Sequence, residues 1–185
     1  KQVLRRGLSP LVTTISTPTA APVIAGVRLR AGRAGSGRGA ASMVTEAINL
    51  AKAAGATNIL VRGDAAYGNS SVIRATLRGK AYFSVVLTRT PPVNRAIDSI
   101  PETAWTPVQY PGAFTDPDTG ELVSDAQVAE VTHTAFEGTA QAVTARLIVR
   151  RVRDRNYGPE DEMFPVWRYH PFFTNNPEPA ADADI

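Results

Sequence analysis

The pattern of apolar and polar residues predicts a first part of the chain in which strands and helices alternate. Two apolar runs at residues 11–16 and 23–30 are separated by turn-forming prolines, which predicts an antiparallel hairpin. Residues 40–54 carry an apolar stripe at helical spacing and are followed by Gly55, a common residue just after a helix, so they predict a helix.

The next elements predict a strand–helix–strand unit. An apolar run at residues 58–62 comes just before Asp64. A helix capped by Asn69 or Ser70 is predicted through about residue 77, and a second buried strand is predicted over residues 82–88. A strand–helix–strand order of this kind usually gives two parallel strands with a right-handed crossover. A short helix is expected at residues 93–100. These elements together predict an α/β fold.

From Trp105 onward prolines and turns become frequent, and strand-like runs follow. Within the last long runs, Leu147 and Val149 alternate with Arg146, Ile148 and Arg150, which predicts one apolar and one polar face. The sequence therefore predicts a small antiparallel β subdomain. Its predicted strands cover residues 127–134, 142–151 and 164–169.

Composition excludes several classes of protein. The chain has 185 residues, of which 43% are hydrophobic and 20% charged, as in ordinary globular domains. No apolar run approaches the roughly 20 residues needed to span a bilayer. The absence of cysteine excludes disulfides and thiolate metal sites. A cytoplasmic location is the default expectation.

The charge is distributed unevenly along the chain. Residues 1–90 hold 13 Lys and Arg against two acids, a balance of +11, whereas residues 91–185 hold seven Arg against 15 acids, a balance of −8. A half this basic indicates a polyanionic partner, most simply a nucleic acid. The alternative is that charges separated along the sequence mix in space.

Asp64 is the candidate for the centre of a chemical site. It follows a buried strand, and open α/β sheets place their ligands at the carboxyl ends of their strands. Gly63, just before it, leaves room for a close backbone or a phosphate. The alternative is that Asp64 only forms a turn or caps a helix.

The glycine-rich segment at residues 32–39 invites comparison with phosphate-binding loops. It lacks the Lys and Ser/Thr that follow the last glycine of a Walker loop, and its glycine spacing does not fit the dinucleotide pattern. It is interpreted as a mobile loop whose Arg33 and Arg38 contact a nucleic-acid backbone. The alternative is a plain solvated connection.

The ordered set of these motifs resembles a known family. The segment Ile-Leu-Val-Arg-Gly-Asp-Ala-Ala-Tyr-Gly at residues 59–68 is followed by a predicted helix and by Tyr-Phe-Ser-Val-Val-Leu-Thr-Arg at residues 82–89. This is similar to the group-one DDE transposases of bacterial insertion sequences, whose fold is RNase H-like. Arg62, Asp64 and Tyr67 match the family pattern around the second acid of the triad. The β-rich segment and the aromatic run at residues 166–173 also resemble that family.

The resemblance implies a fold and a chemistry. The fold would be an RNase H-like mixed sheet flanked by helices, with a β-rich insertion subdomain. The chemistry would be DNA cleavage and strand transfer by two Mg²⁺ or Mn²⁺ ions, held by three carboxylates. The partners would be transposon ends and target DNA, not a membrane. The resemblance also allows a homodimer of the full-length protein. The implied domains are 1–104 as a partial transposase core, 105–174 as the insertion and return strand, and 175–185 as a linker tail.

Residue roles carry over by the same resemblance. Asp64 would be the catalytic second acid and a metal ligand, with Gly63 and Tyr67 supporting its turn. Basic side chains near such a site would meet phosphates. The implied DNA contacts are Arg33, Arg38, Arg62 and Arg89.

The sequence also departs from the family pattern. No acid precedes Glu46, although the family carries its first Asp on an earlier strand, and no later acid has the helical context of the third. The chain is therefore interpreted as an internal fragment that is inactive alone. One alternative is a decayed or domesticated fragment that binds DNA without catalysis. Another is an unrelated hydrolase or phosphotransfer domain using Asp64, which lacks a companion His or Lys near the site.

Overall fold

A computed structural model describes residues 7–154 and 166–178 of the chain. It divides into two compact units, residues 1–85 and residues 86–185. The described residues contain three α-helices and a six-stranded mixed sheet. The predicted α/β class is therefore confirmed, and the architecture is consistent with an RNase H-like fold. The predicted domain boundaries stay a prediction.

The first unit begins with the predicted antiparallel hairpin. Strands β1 (Leu11–Thr17) and β2 (Ala20–Arg28) pair with Val12 opposite Val27. The second strand starts before Pro22, earlier than predicted, so the turn is confined to Pro18 and Thr19. An edge strand tolerates proline because it needs no partner for the missing N–H group.

Helix α1 (Ala40–Ala53) follows Gly39, whose φ of 82° is readily adopted only by glycine. Its apolar stripe packs on the hairpin in a small core formed by Leu11, Ala40, Met43 and Val72, against which Val44 and Tyr67 also pack. This packing explains why the hairpin, which is too small to be stable alone, has a defined place in the unit.

The strand–helix–strand part of the first unit matches the prediction closely. Strands β3 (Leu60–Gly63) and β4 (Tyr82–Val86) are parallel, with Gly63 opposite Val85. Helix α2 (Ser70–Arg78) lies between them in the chain. The Asn69 side chain caps this helix by accepting the Val72 N–H at 3.1 Å.

The second unit begins with helix α3 (Pro91–Asp98), which starts at its two prolines rather than after them. Proline is favoured in the first turn of a helix because that turn leaves N–H groups without partners anyway. The strands that follow are β5 (Thr106–Pro107), β6 (Phe114–Thr115), β7 (Leu122–Val123), β8 (Ala126–Ala135), β9 (Val143–Arg153) and β10 (Trp167–Thr174).

The long strands of the second unit are antiparallel, and their details differ from the prediction in two ways. Strand β9 buries Ile148 as well as Leu147 and Val149, so the face predicted to be polar is buried at this position. Strand β10 does not end at Tyr169 but continues through Pro171 to Thr174. The Pro171 carbonyl still accepts the Leu87 N–H at 3.1 Å, so the proline loses only its own donor. Residues 164 and 165 of the predicted third strand lie outside the described residues.

The sheet has the strand order β3-β4-β10-β9-β8-β5, while β1 and β2 form a separate two-stranded sheet and so do β6 and β7. The parallel pair β3 and β4 carries Asp64 at its end, whereas the neighbours β10 and β9, β9 and β8, and β8 and β5 pair antiparallel. Across the described residues, no helix has the length and apolar character that crossing a bilayer requires.

Candidate active site and nucleic-acid surface

Asp64 lies at the carboxyl end of β3, in a tight turn that leads into helix α2. Its Oδ1 accepts the Ala66 N–H at 2.9 Å, and its backbone carbonyl accepts the Tyr67 N–H at 3.0 Å. The residue is exposed to solvent. The turn-forming role considered as the alternative is therefore confirmed. The same geometry presents a carboxylate in a fixed position, and its catalytic role stays a prediction.

Gly63 and Tyr67 shape this turn together. A Cβ on residue 63 would lie 2.9 Å from the Tyr67 Cβ, closer than two carbon atoms pack, so only glycine lets the turn close against the strand. Tyr67 is half-buried and packs against the core formed around Met43 and Val72. Its contacts are those of a packing residue that anchors the Asp64 turn.

The glycine-rich segment approaches this turn. A Cβ on Gly37 would lie 3.0 Å from the Asn69 side-chain nitrogen and 3.1 Å from the Ala66 carbonyl oxygen. The loop backbone therefore lies directly beside the turn that holds Asp64. The sequence had suggested two readings of the loop, and neither included this proximity.

Arg30 organises the loop from within. Its Nη1 donates to three loop carbonyls, those of Gly35 at 3.1 Å, Ser36 at 2.9 Å and Arg38 at 2.9 Å. Its Nε and Nη2 donate to the backbone and side chain of Ser9, each at 3.0 Å. The Arg30 guanidinium thus joins the loop to Ser9, which precedes β1. The loop is not a plain solvated connection, because a cation holds its carbonyls.

Three predicted DNA-contact residues lie on the surface of the first unit. Arg33 and Arg38 flank the turn of the loop, and Arg62 belongs to β3, two residues before Asp64. All three are exposed, and none of their guanidinium groups has a hydrogen bond or ion pair to another described residue. Their guanidinium groups remain available to an anion.

Arg89, the fourth predicted contact, belongs to the second unit. Its Nε donates to the Asn94 side chain at 2.9 Å, and its guanidinium lies 5.5 Å from the centre of the Tyr169 ring. These neutral partners position the side chain without cancelling its charge.

Four ion pairs among the described residues each join two residues from the same half of the sequence. In the basic half Arg28 bridges to Glu46 at 2.9 Å. In the acidic half Glu102 pairs with Arg151, Glu130 with Arg146, and Asp154 with Arg168. The described pairs thus give no support to the alternative in which the two halves neutralise one another.

The donor set does not by itself fit a two-metal centre. Nowhere in residues 7–154 and 166–178 do three or more acidic, histidine or cysteine side chains gather as a metal site would require. Asp64 offers one carboxylate, with one oxygen already accepting a backbone N–H. The other acid of the basic half, Glu46, is engaged by Arg28. Two carboxylate-bound Mg²⁺ ions need more oxygen ligands than Asp64 and Glu46 supply.

Two arginines that organise the structure were not predicted from the sequence. The bonding of Arg30 to the loop carbonyls is visible only in the folded structure. The one signal in the sequence is the shortage of acids in residues 1–90, which leaves some arginines to bind carbonyls rather than carboxylates. Arg151 is 4% exposed and lies between Trp105 and Trp167, 4.3 Å from each ring centre. It also donates to Gln127 and Glu102, and this interaction lowers the pKa of the Glu102 carboxyl. In the sequence, Arg151 is one of four closely spaced arginines at positions 150, 151, 153 and 155 and does not stand out from them.

A comparison with protein families gives one match. The family model described as transposase DDE domain group 1 matches residues 7–157, which is most of the chain. None of the curated proteins compared with the chain matches it.

Proposed function

Because the chain belongs to the group 1 family of transposase DDE domains, we propose that it forms part of the catalytic core of an enzyme that cleaves DNA and transfers strands by two-metal phosphoryl transfer. Family membership implies a role in DNA transposition with DNA as the substrate. The reaction type and the roles of individual residues are the proposal.

The observation that carries the proposal is the arrangement around Asp64. The carboxylate stands at the end of a parallel strand, in a turn held by one hydrogen bond to its Oδ1 and one to its backbone carbonyl. A loop with two exposed arginines passes beside that turn. A carboxylate held in a turn, beside a loop that carries exposed arginines, suits a site where phosphate oxygens must be held and oriented.

The proposal gives each candidate site residue a role. Asp64 would contribute one carboxylate to a site that holds Mg²⁺ or Mn²⁺ in the full-length protein. Arg33, Arg38 and Arg62 bind backbone phosphates and so position the DNA without reading its sequence. In the second unit Arg89 makes the same type of contact.

A second candidate function follows from the incomplete donor set. Since the described residues gather no cluster that holds a metal, a non-catalytic fragment that binds DNA accounts for the same surface. Under this alternative Asp64 only shapes its turn, and the arginines still bind phosphate. The two candidates differ in whether the full-length protein cleaves DNA through Asp64.

The test is DNA cleavage and strand transfer by the full-length protein with Mg²⁺, comparing wild type with Asp64→Asn. Asparagine keeps the turn hydrogen bond but removes the charge. We expect activity to fall by at least about a thousandfold, comparable to the loss of a central electrostatic group in other enzymes. The thermal unfolding midpoint is expected to remain within a few degrees of wild type.

Asp116→Asn is the matched control. The Asp116 side chain accepts the Asp118 N–H at 2.8 Å in a turn of the same type. If Asp64 only forms a turn, the two variants will behave alike. Full activity in Asp64→Asn would refute its catalytic role, and inactivity of wild type with DNA binding retained would favour the second candidate.

A further inference from the structure

Helices α1 and α2 end side by side, at the end of the first unit that lies away from the Asp64 turn. At their starts, Gly37 of the loop before α1 approaches Asn69, the cap of α2. At their ends, the Lys52 Nζ of α1 donates to the Gly79 carbonyl just after α2, at 2.8 Å. The two helices therefore run in the same direction. Helix α2 has nine residues, so its last turn lies roughly 14 Å from its cap.

The surface at the ends of these two helices is basic. Lys52, Arg78 and Lys80 lie there, and all three are exposed. The first unit contains only two acids, Glu46 and Asp64. Glu46 lies in the first half of α1 and bridges to an arginine of β2, and Asp64 lies before the start of α2. We call the three cations the helix-end surface.

The two helices end with the same backbone motif but with different residues at its left-handed position. In α2 the Lys80 N–H donates to the Leu77 carbonyl at 2.9 Å, and the next N–H donates to Thr76 at 3.2 Å. The equivalent bonds of α1 measure 2.9 and 3.0 Å and place Gly55 where α2 has Lys80. The φ of Gly55 is 92° and that of Lys80 is 49°. Helix α2 thus carries a lysine where this motif usually has glycine.

The charges at the end of α2 are not explained by helix stability. A side chain at positive φ lies too close to the backbone, so Lys80 disfavours the conformation that glycine adopts easily. Arg74 and Arg78 are four residues apart on α2, and like charges at this spacing repel each other. Cations near a helix C-terminus do interact favourably with the helix dipole. That interaction accounts for one cation, but it does not account for a lysine in place of glycine.

We propose that Lys52, Arg78 and Lys80 bind the phosphates of duplex DNA and form a second contact surface, separate from the arginines near Asp64. The proposal rests on DNA as the partner, which family membership implies, and not on the catalytic role of Asp64. Basic side chains that contact phosphates position the duplex without reading its sequence. Arg74 lies on the exposed face of α2, between the helix-end surface and the Asp64 turn, so a duplex lying along α2 meets positive charge over the length of the helix.

The sharpest test is Lys80→Gly, because it separates binding from stability. The substitution removes one cation and gives α2 the residue that α1 has at the same position. Binding of the 185-residue chain to a fluorescein-labelled duplex of about 20 base pairs is followed by anisotropy between about 50 and 200 mM salt. We expect the slope of log affinity against log salt to fall by about 0.9. The thermal unfolding midpoint is expected to be equal to that of wild type or higher.

Arg78→Gln and Arg95→Gln form a matched pair. Both arginines are exposed and lie in the last turn of a helix, Arg78 in α2 and Arg95 in α3 of the second unit. Both substitutions remove one charge from the same helix position. Arg78→Gln is expected to lower the salt slope by about 0.9, and Arg95→Gln is expected to leave it unchanged. Lys52→Gln, whose amide can still donate to the Gly79 carbonyl, is expected to act like Arg78→Gln.

Three outcomes would overturn the proposal. The first is that the folded 185-residue chain does not bind the duplex. The second is a wild-type salt slope in Lys80→Gly and Arg78→Gln, which would leave these residues as helix ends only. The third is an equal change in Arg78→Gln and Arg95→Gln, which would be an effect of net charge. If Arg33→Ala with Arg38→Ala lowers the slope while the helix-end variants do not, the helix-end surface is refuted and the proposed function is unaffected.

Discussion

The two units of the chain use arginine in opposite ways. In the second unit Arg151 is buried between two tryptophans and paired with Glu102, so its charge serves the scaffold. In the first unit Arg30 binds backbone carbonyls, while Arg33 and Arg38 remain exposed with no partner among the described residues. In the first unit, where acids are scarce, Arg30 thus organises the backbone, and the Arg33 and Arg38 side chains stay available to an anion. The comparison supports the proposal that Arg33, Arg38 and Arg62 of the first unit contact DNA.

The largest effect expected from this comparison is loss of stability in the second unit. Arg151→Ala removes a buried side chain from between Trp105 and Trp167, together with its bonds to Glu102 and Gln127. We expect a loss of about 3 kcal/mol in the free energy of unfolding, from lost packing and cation–π contact. Denaturant-induced unfolding measures it.

Glu102→Gln is the control for that prediction. The Glu102 side chain is 76% exposed, so its loss is expected to cost less than about 1 kcal/mol. If the two variants were equally destabilised, the ion pair rather than the aromatic sandwich would hold Arg151. In that case the Arg151 charge would be held by a carboxylate, and packing between the two tryptophans would contribute little.

A smaller effect is expected at the turn of the first unit. Gly63→Ala places a Cβ 2.9 Å from the Tyr67 Cβ, which forces the Asp64 turn to shift. We expect a destabilisation of about 2 kcal/mol, typical of overpacking at a tight contact. In Gly35→Ala the added Cβ meets nothing within 4 Å, so thermal unfolding of that variant is expected to match wild type. Equal unfolding midpoints for the two variants would contradict the close approach at Gly63.

The smallest effect is expected at the glycine-rich loop. Arg30→Ala removes the donor that holds three loop carbonyls, and we expect it to cost about 1 kcal/mol because water replaces part of the lost bonding. Its clearer readout is limited trypsin digestion, in which cleavage after Arg38 is expected to accelerate. Arg28→Ala, which loses contacts to α1 instead, is the control. Equal acceleration in both would show that Arg30 has no particular role in the loop.

Sequence patterns predicted the parts of the fold that local chemistry determines. The strand before Asp64 and the Asn69 cap are set by neighbouring residues, and both were found as expected. The burial of Ile148 was not predictable from alternation, because that depends on what covers both faces of β9. Strand β10 was predicted too short because Pro171 resembles a strand end in sequence.

The parts of the candidate site that depend on adjacent residues were predictable, as they were for the fold. Asp64 and Gly63 stand out because a strand, a glycine and an acid are adjacent in the chain. The approach of the loop at Gly37 and the role of Arg30 arise from contacts between distant residues, and one sequence does not reveal them. The catalytic role of Asp64 stays a prediction that rests on the family and on the position of its carboxylate.

The most direct test of the central claim is the salt dependence of duplex DNA binding by the full-length protein. Each lost phosphate contact is expected to lower the slope of log affinity against log salt by about 0.9, so Arg33→Ala with Arg38→Ala should lower it by about 1.8. Arg62→Ala should lower it by about 0.9 more. The matched pair Arg95→Ala with Arg153→Ala, two exposed arginines of the second unit, should leave the slope unchanged. Equal slopes for both pairs, or a larger change from the second, would contradict the account.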